Sequence, residues 1–174
     1  LVSHQRDKLL PTIKSRCRQL VLPAPSPAEA LAYLKEREID DAESLLAFHA
    51  GAPLFESAPE QDEYRDSLLQ LLGQPRLLAI LDYAADFDRQ KWPLALFLDW
   101  LHKWLTDVGL AHQQLAPLYY PSYAAASAQV AKKTNPATLL GLIDTLNRLS
   151  PYGRHTLNVR MQVEYLLTEY LGFW

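Results

Sequence analysis

The 174-residue chain has one cysteine, Cys17, and only six glycines. A single cysteine excludes an intrachain disulfide and a zinc site built from cysteines, and it is typical of a reducing compartment such as the cytoplasm. Few glycines beside twelve prolines favour helices separated by proline-marked joints over a turn-rich β-sandwich. The composition therefore predicts an all-α fold.

Motifs for nucleotide, metal or membrane binding are also missing. No glycine-rich loop followed by lysine is present to hold phosphate, and the five histidines show no metal-ligand spacing. The most apolar segment, residues 92–110, includes Asp99, His102, Lys103 and Asp107, which indicates a buried helix rather than a membrane span. We therefore expect no catalytic site, cofactor site or metal site belonging to this chain alone, and no membrane contact.

Charge is distributed unevenly along the sequence. The first 18 residues carry five basic side chains and one acidic side chain, whereas residues 29–66 carry three basic and eleven acidic ones. The acidic stretch is typical of a solvated helix face, and it is a poor surface for the phosphate backbone of DNA. We expect most of the chain to make no contact with DNA.

Capping residues and apolar spacing predict the helices. Ser26, with Pro27 next and Glu29 three positions on, has the pattern of a capping box, and Asn135 and Asn158 are further candidate caps. Trp100 and Trp104 lie one helical turn apart and are interpreted as core rather than as a platform for stacking bases. The predicted helices are 27–37, 40–51, 61–73, 75–88, 93–113, 136–149 and 157–171, and 115–130 is predicted to be a turn followed by a helix.

The segment Ser15-Arg16-Cys17 is the strongest functional signal in the sequence. It precedes a β-like run over 19–22 and a proline-rich linker at 23–27. An arginine at the edge of a domain can reach into a neighbouring subunit's site, as an arginine finger does. The residues alone leave open a surface or interdomain salt bridge for Arg16, and Cys17 is interpreted as a small, partly buried packing residue.

The Ser15-Arg16-Cys17 segment closely resembles the Ser-Arg-Cys motif of bacterial DNA polymerase III clamp-loader subunits. In that family the motif lies where the AAA+ nucleotide-binding domain passes into its helical lid. The resemblance implies the C-terminal edge of an AAA+ nucleotide-binding-like domain over 1–24, a small helical lid over 25–58, and a five- or six-helix collar domain for oligomerisation over 59–174. Because the chain opens at Leu1 inside such a segment, we expect it to be a fragment of a longer protein.

One departure from the family pattern bears on the activity. Leu54 stands where the ATPase subunits of the family have an ATP-sensing arginine. The helix beginning at Asn158, by contrast, is similar to the last helix of the family's collar domain. The resemblance therefore implies a non-motor subunit that binds no cofactor itself. It implies that Arg16 is a catalytic arginine finger acting in trans on ATP bound by the neighbouring subunit.

The resemblance also implies partners. These are the gamma or tau and delta subunits and, through the complex, the sliding clamp and primed DNA, within the cytoplasmic DNA polymerase III holoenzyme, a DNA-directed DNA polymerase and nucleotidyltransferase. Candidate residues for an exposed collar contact are Tyr119, Tyr120, Phe173 and Trp174. The alternatives are a fragment of the gamma or tau ATPase, an unrelated helical scaffold, and a helical enzyme domain that uses His and Asp side chains.

Overall fold

The computed structural model describes residues 7, 9–18, 20, 23–56, 58–153 and 158–174. All regular secondary structure in these residues is helical, which confirms the all-α prediction. The predicted β-like run at 19–22 lies outside the described residues except for residue 20.

The α-helices of the described residues follow the predicted order, and the turn and helix expected over 115–130 are both present. Short 3₁₀ turns occupy Pro121–Tyr123 and Ser150–Tyr152. The helices are α1 (Pro11–Lys14), α2 (Pro27–Glu36), α3 (Ala42–Phe48), α4 (Pro59–Gly73), α5 (Leu77–Arg89), α6 (Leu94–His112), α7 (Ala124–Lys133), α8 (Pro136–Leu149) and α9 (Val159–Leu171).

The predicted helix caps are confirmed in atomic detail. The Ser26 hydroxyl accepts a hydrogen bond from the Glu29 backbone N–H at 3.3 Å, and the Glu29 carboxylate accepts one from the Ser26 N–H at 2.8 Å. The Asn135 and Asn158 side chains each accept a backbone N–H from the first turn of α8 and α9. These bonds satisfy N–H groups that have no partner within the helix, so they set where each helix begins.

Helices α4 to α9 form a bundle around α6, which packs against α7, α8 and α9, while α5 packs against α9. Trp100 and Trp104 are buried at its centre, which confirms their interpretation as core. The Trp104 indole N–H donates to the Tyr170 hydroxyl at 3.1 Å, and that hydroxyl donates to the Leu72 carbonyl at 2.7 Å. The polar atoms of the Trp104 and Tyr170 side chains are therefore paired inside the core.

Helices α2 and α3 form a small pair at one side of the bundle. Their own buried core consists of Ala30, Leu34, Ala42 and Leu46. Phe48, at the end of α3, instead belongs to the core of the bundle. The helical pair is thus tied to the bundle by a side chain that the bundle buries.

A buried carboxylate organises the connection between α6 and α7. Asp107 is 1% exposed, and its side chain accepts backbone N–H bonds from Leu118 at 2.7 Å, Tyr119 at 3.1 Å and Tyr120 at 2.7 Å. Bonds to an ionised acceptor are stronger than those between neutral groups. The connection therefore has one defined backbone path, although the sequence between the helices contains two prolines.

Candidate functional site

The Ser15-Arg16-Cys17 segment forms the turn that follows α1. The backbone N–H of Ser15 donates to the Pro11 carbonyl at 2.9 Å, and those of Arg16 and Cys17 donate to the Ile13 carbonyl at 3.2 and 3.1 Å. These bonds within residues 11–17 shape the turn. All three residues of the motif are exposed.

The Arg16 guanidinium makes no hydrogen bond or ion pair with any residue that the structure describes. Its donors therefore point to solvent and are available to a group outside this part of the chain. The predicted partial burial of Cys17 is wrong, because the thiol is exposed. The reason is that α1 buries none of its residues, so the described part of the chain places no packed surface beneath the turn.

Leu54 lies in the connection between α3 and α4 and is 79% exposed. A leucine side chain has no hydrogen-bond donor and no charge, so it cannot contact phosphate as an arginine would. The structure places it at the surface of the helical pair, close to Phe55 and Arg37 along a shallow depression.

The joint between the helical pair and the bundle is a cluster that the sequence analysis missed. We use "the joint" for Phe48, His49, Arg65 and Lys103. The Phe48 ring lies 4.2 Å from Arg65 Cζ and 3.8 Å from Lys103 Nζ, so two cations contact one ring. Cation–π contacts stabilise most where the cation is partly desolvated, and Arg65 is only 9% exposed.

His49 completes the joint from the side of α3. Its ring stacks on Phe55 with centroids 4.2 Å apart and meets the edge of Phe48 at 4.8 Å. Burial lowers the pKa of His49 below its ordinary value, and the positive charges of Lys103 and Arg65 lower it further. The uncharged imidazole is therefore the form that fits this environment.

Beside the joint, a cavity of about 360 Å³ lies between α3, α4 and the turn at residues 119–123. The Ser44 and Ser122 hydroxyls are hydrogen-bonded across it at 3.0 Å. Asp66 lies on its wall. Burial raises the pKa of its carboxyl, and the negative charges of Asp62 and Asp41 raise it further, while the positive charge of Arg65 opposes the shift. Sequence spacing gave no signal for this cavity, because its walls come from segments far apart along the chain.

Of the four candidate contact residues, two lie at the surface only in part. Tyr119 and Phe173 are half-buried against the bundle core, and Trp174 is 43% exposed with Lys133 Nζ 3.6 Å from its ring centroid. The assignment of Tyr120 to an exposed surface is wrong, because it is 5% exposed and its hydroxyl donates to the Trp100 carbonyl. The Asp107 carboxylate accepts a hydrogen bond from the Tyr120 backbone N–H, and the Tyr120 ring packs in the core of the bundle.

Two kinds of feature are absent from the residues that the structure describes. No helix among them is long and apolar enough to cross a membrane. Within the same ranges, no group of three or more His, Cys, Asp and Glu side chains is placed to hold a metal ion.

Comparison with known proteins shows a similarity to a subunit of DNA polymerase III. It is 34% identical to the "DNA polymerase III subunit delta′" of Pseudomonas aeruginosa over 122 residues, which cover 66% of this chain and 37% of that protein. The similarity confirms the family resemblance drawn from the sequence and supports its assignment to the C-terminal portion of a delta′ subunit. No family model and no solved structure matches the chain.

Proposed function

We propose that this chain is the C-terminal portion of a non-motor, delta′-type subunit of the DNA polymerase III clamp loader. The observation that carries the proposal is the 34% identity to a delta′ subunit. The match spans about a third of that protein. Any part that this chain takes in the activity of the whole clamp loader is therefore a proposal. In it, 1–24 is the end of an AAA+ domain, 25–58 is a lid, and 59–174 is a collar that joins neighbouring subunits.

In this proposal Arg16 is the arginine finger. Its exposure and its lack of a partner among the described residues support the role, because a finger must leave its own subunit to reach another one. A guanidinium presents a planar fork of donors that matches phosphoryl oxygens. Such a group stabilises the charge that develops on the transferred phosphoryl group in the transition state.

The ATP in this scheme is bound by a neighbouring gamma or tau subunit, and the delta subunit completes the assembly. The exposed Leu54, with no donor at the position of the family's sensor arginine, supports a subunit that does not itself respond to ATP. The sliding clamp and primed DNA are contacted through the complex. We propose the cytoplasm as the location of this assembly.

The gamma or tau ATPase is the alternative within the same family. It predicts that the full-length parent binds ATP tightly in isolation, whereas the delta′ proposal predicts no productive nucleotide binding. An unrelated helical scaffold or helical enzyme domain would not co-assemble with clamp-loader subunits. Equilibrium ATP binding and gel filtration with those subunits separate the alternatives.

The finger is tested with Arg16→Ala in the full-length parent, reconstituted with the other loader subunits. We expect single-turnover ATP hydrolysis at the adjoining site, stimulated by clamp and primed DNA, to fall by on the order of 10³-fold. Arg16→Lys should recover little, because an ammonium lacks the planar fork. Arg18→Ala, at an exposed position two residues on, is the matched control and should keep full turnover.

Gel filtration must show that each variant complex contains all its subunits. An intact Arg16→Ala complex with unchanged hydrolysis would refute the finger while leaving the delta′ assignment in place. Failure of the unaltered parent to co-assemble would refute the assignment itself.

A further inference from the structure

The joint brings three groups with basic side chains onto one aromatic ring. Arg65 and Lys103 contact the Phe48 ring, and His49 meets its edge. Arg65 and Lys103 are cationic side chains, whereas histidine is the side chain whose ordinary pKa lies near physiological pH. The charge at the joint is therefore set by His49.

The groups divide between the two parts of the molecule. His49 follows α3 in the helical pair, whereas Arg65 and Lys103 belong to α4 and α6 of the bundle. Both charges that repel a protonated His49 are thus on the opposite side of the joint. Separation of the pair from the bundle would remove that repulsion and return the imidazole to water.

Acidic groups also face His49, from α4 and α6. They are Asp62 and Asp99, and each favours the protonated imidazole. Asp62 is already bonded to Arg65 at 2.7 Å, and Asp99 to Lys103 at 2.7 Å. Because each carboxylate has a cationic partner, neither is free to neutralise a third positive charge, and burial with the two cations outweighs them.

We propose that the joint is a latch that protonation of His49 releases, so that acid separates the α2–α3 pair from the bundle. When His49 is neutral, its ring stacks on Phe55 and meets the edge of Phe48, and the Phe48 ring also contacts Arg65 and Lys103. When His49 is protonated, a third cation is confined beside the other two. The device regulates the orientation of whatever lies N-terminal to α2, including the Ser15-Arg16-Cys17 turn.

The direction follows from linkage. His49 has a lower pKa in the docked state than in a detached, hydrated helical pair, where its pKa is near the ordinary 6.5. Protons therefore bind the detached state better and shift the equilibrium towards it as the pH falls below about 6.5. Each unit of difference between the two pKa values corresponds to a tenfold change in the docking equilibrium. Above that range the latch is closed and insensitive to pH.

The test measures the distance between the helical pair and the bundle directly. Two spin labels are placed at Ala32→Cys on α2 and Asn147→Cys on α8, both exposed and uncharged positions, in a Cys17→Ser background. Distance distributions are recorded by pulsed electron resonance at about pH 7.5 and about pH 5, values on either side of the ordinary histidine pKa of 6.5. We expect one narrow distribution at the higher pH and an additional, longer population at the lower pH.

Variants connect the response to one imidazole. His49→Phe keeps an aromatic ring on Phe55 but cannot take a proton, so its distribution should stay narrow at both pH values. His49→Gln serves the same purpose if the bulkier ring disturbs folding. His102→Gln, at an exposed position on α6, is the matched control and should respond as the unaltered chain does.

Two results would overturn the latch. One is an unaltered chain whose distribution is the same at both pH values. The other is a pH response that persists in both His49 variants, since another group would then control the separation.

Discussion

The bundle and the segment that precedes it bury very different amounts of side chain. The bundle encloses Trp100, Trp104 and Tyr170, whereas α1 buries no residue and the α2–α3 pair has a core of four small or medium side chains. Buried apolar area is the main source of folding stability. The bundle therefore supplies most of the folding stability, whereas the candidate finger Arg16 lies on a turn that contributes almost nothing to it.

The largest loss of stability is expected when an indole is removed from the centre of the bundle. We expect Trp104→Ala to lower the free energy of unfolding by about 3 to 5 kcal/mol, because it opens a large cavity and leaves the Tyr170 hydroxyl without a donor. Urea denaturation followed by circular dichroism measures the loss. Trp174→Ala removes an exposed indole and should cost well under half as much. Equal losses would mean that burial does not distinguish the two sites.

A smaller loss is expected when the carboxylate inside the bundle is removed. Asp107→Ala should lower the free energy of unfolding by about 2 to 3 kcal/mol, because three backbone N–H groups lose a charged acceptor. Hydrogen exchange should show the loss of protection at the amides of residues 118–120. Asp99→Ala, on the exposed face of the same helix, is the control and should leave those amides protected. Protection that survives Asp107→Ala would contradict the role given to this carboxylate.

The helical pair should respond locally to the loss of its cap. Ser26→Ala removes the acceptor of the capping box and should destabilise α2 by about 1 kcal/mol. Faster hydrogen exchange is expected in α2 but not in α6, because the small core of the pair shares few side chains with the bundle. Ser67→Ala, at an exposed position in α4, should leave exchange in α2 unchanged. Equal acceleration in both helices would show that the pair and the bundle unfold together.

The smallest effect on stability is expected at the candidate finger. Arg16→Ala should change the free energy of unfolding by less than about 0.5 kcal/mol, since the side chain is exposed and makes no hydrogen bond or ion pair with a described residue. Thermal unfolding of the purified chain checks this value. A large destabilisation would show that Arg16 supports the fold. A loss of turnover in the assembled loader could then not be assigned to the finger alone.

Local signals in the sequence predicted most of the helices. Ser26, Asn135 and Asn158 marked helix starts because a cap acts within three residues along the chain. The burial of Trp100 and Trp104 was predictable because apolar spacing on one helix reveals its inner face. These features depend on neighbours in sequence, and they were predicted for that reason.

The features that were missed or wrong depend on contacts between distant segments. Tyr120 is buried because Asp107, thirteen residues earlier, holds its backbone, and no periodic pattern records such a bond. Phe48 meets Arg65 and Lys103 only once α3, α4 and α6 have packed. Cys17 was expected to pack, but it is exposed, because α1 buries none of its residues and the described residues place no packed surface beneath the turn.

Asp107 fixes the backbone path of the connection between α6 and α7, and this path does not depend on which side chains the bonded residues carry. The carboxylate binds three peptide groups, which every residue other than proline supplies, and it makes no use of the side chain at Leu118. Leu115 and Leu118 project into solvent from this fixed path, 57% and 53% exposed. The loop is therefore a template on which outward-facing residues can be exchanged without altering the fold, so an engineer could graft a new recognition sequence here while the helices on both sides stay in place.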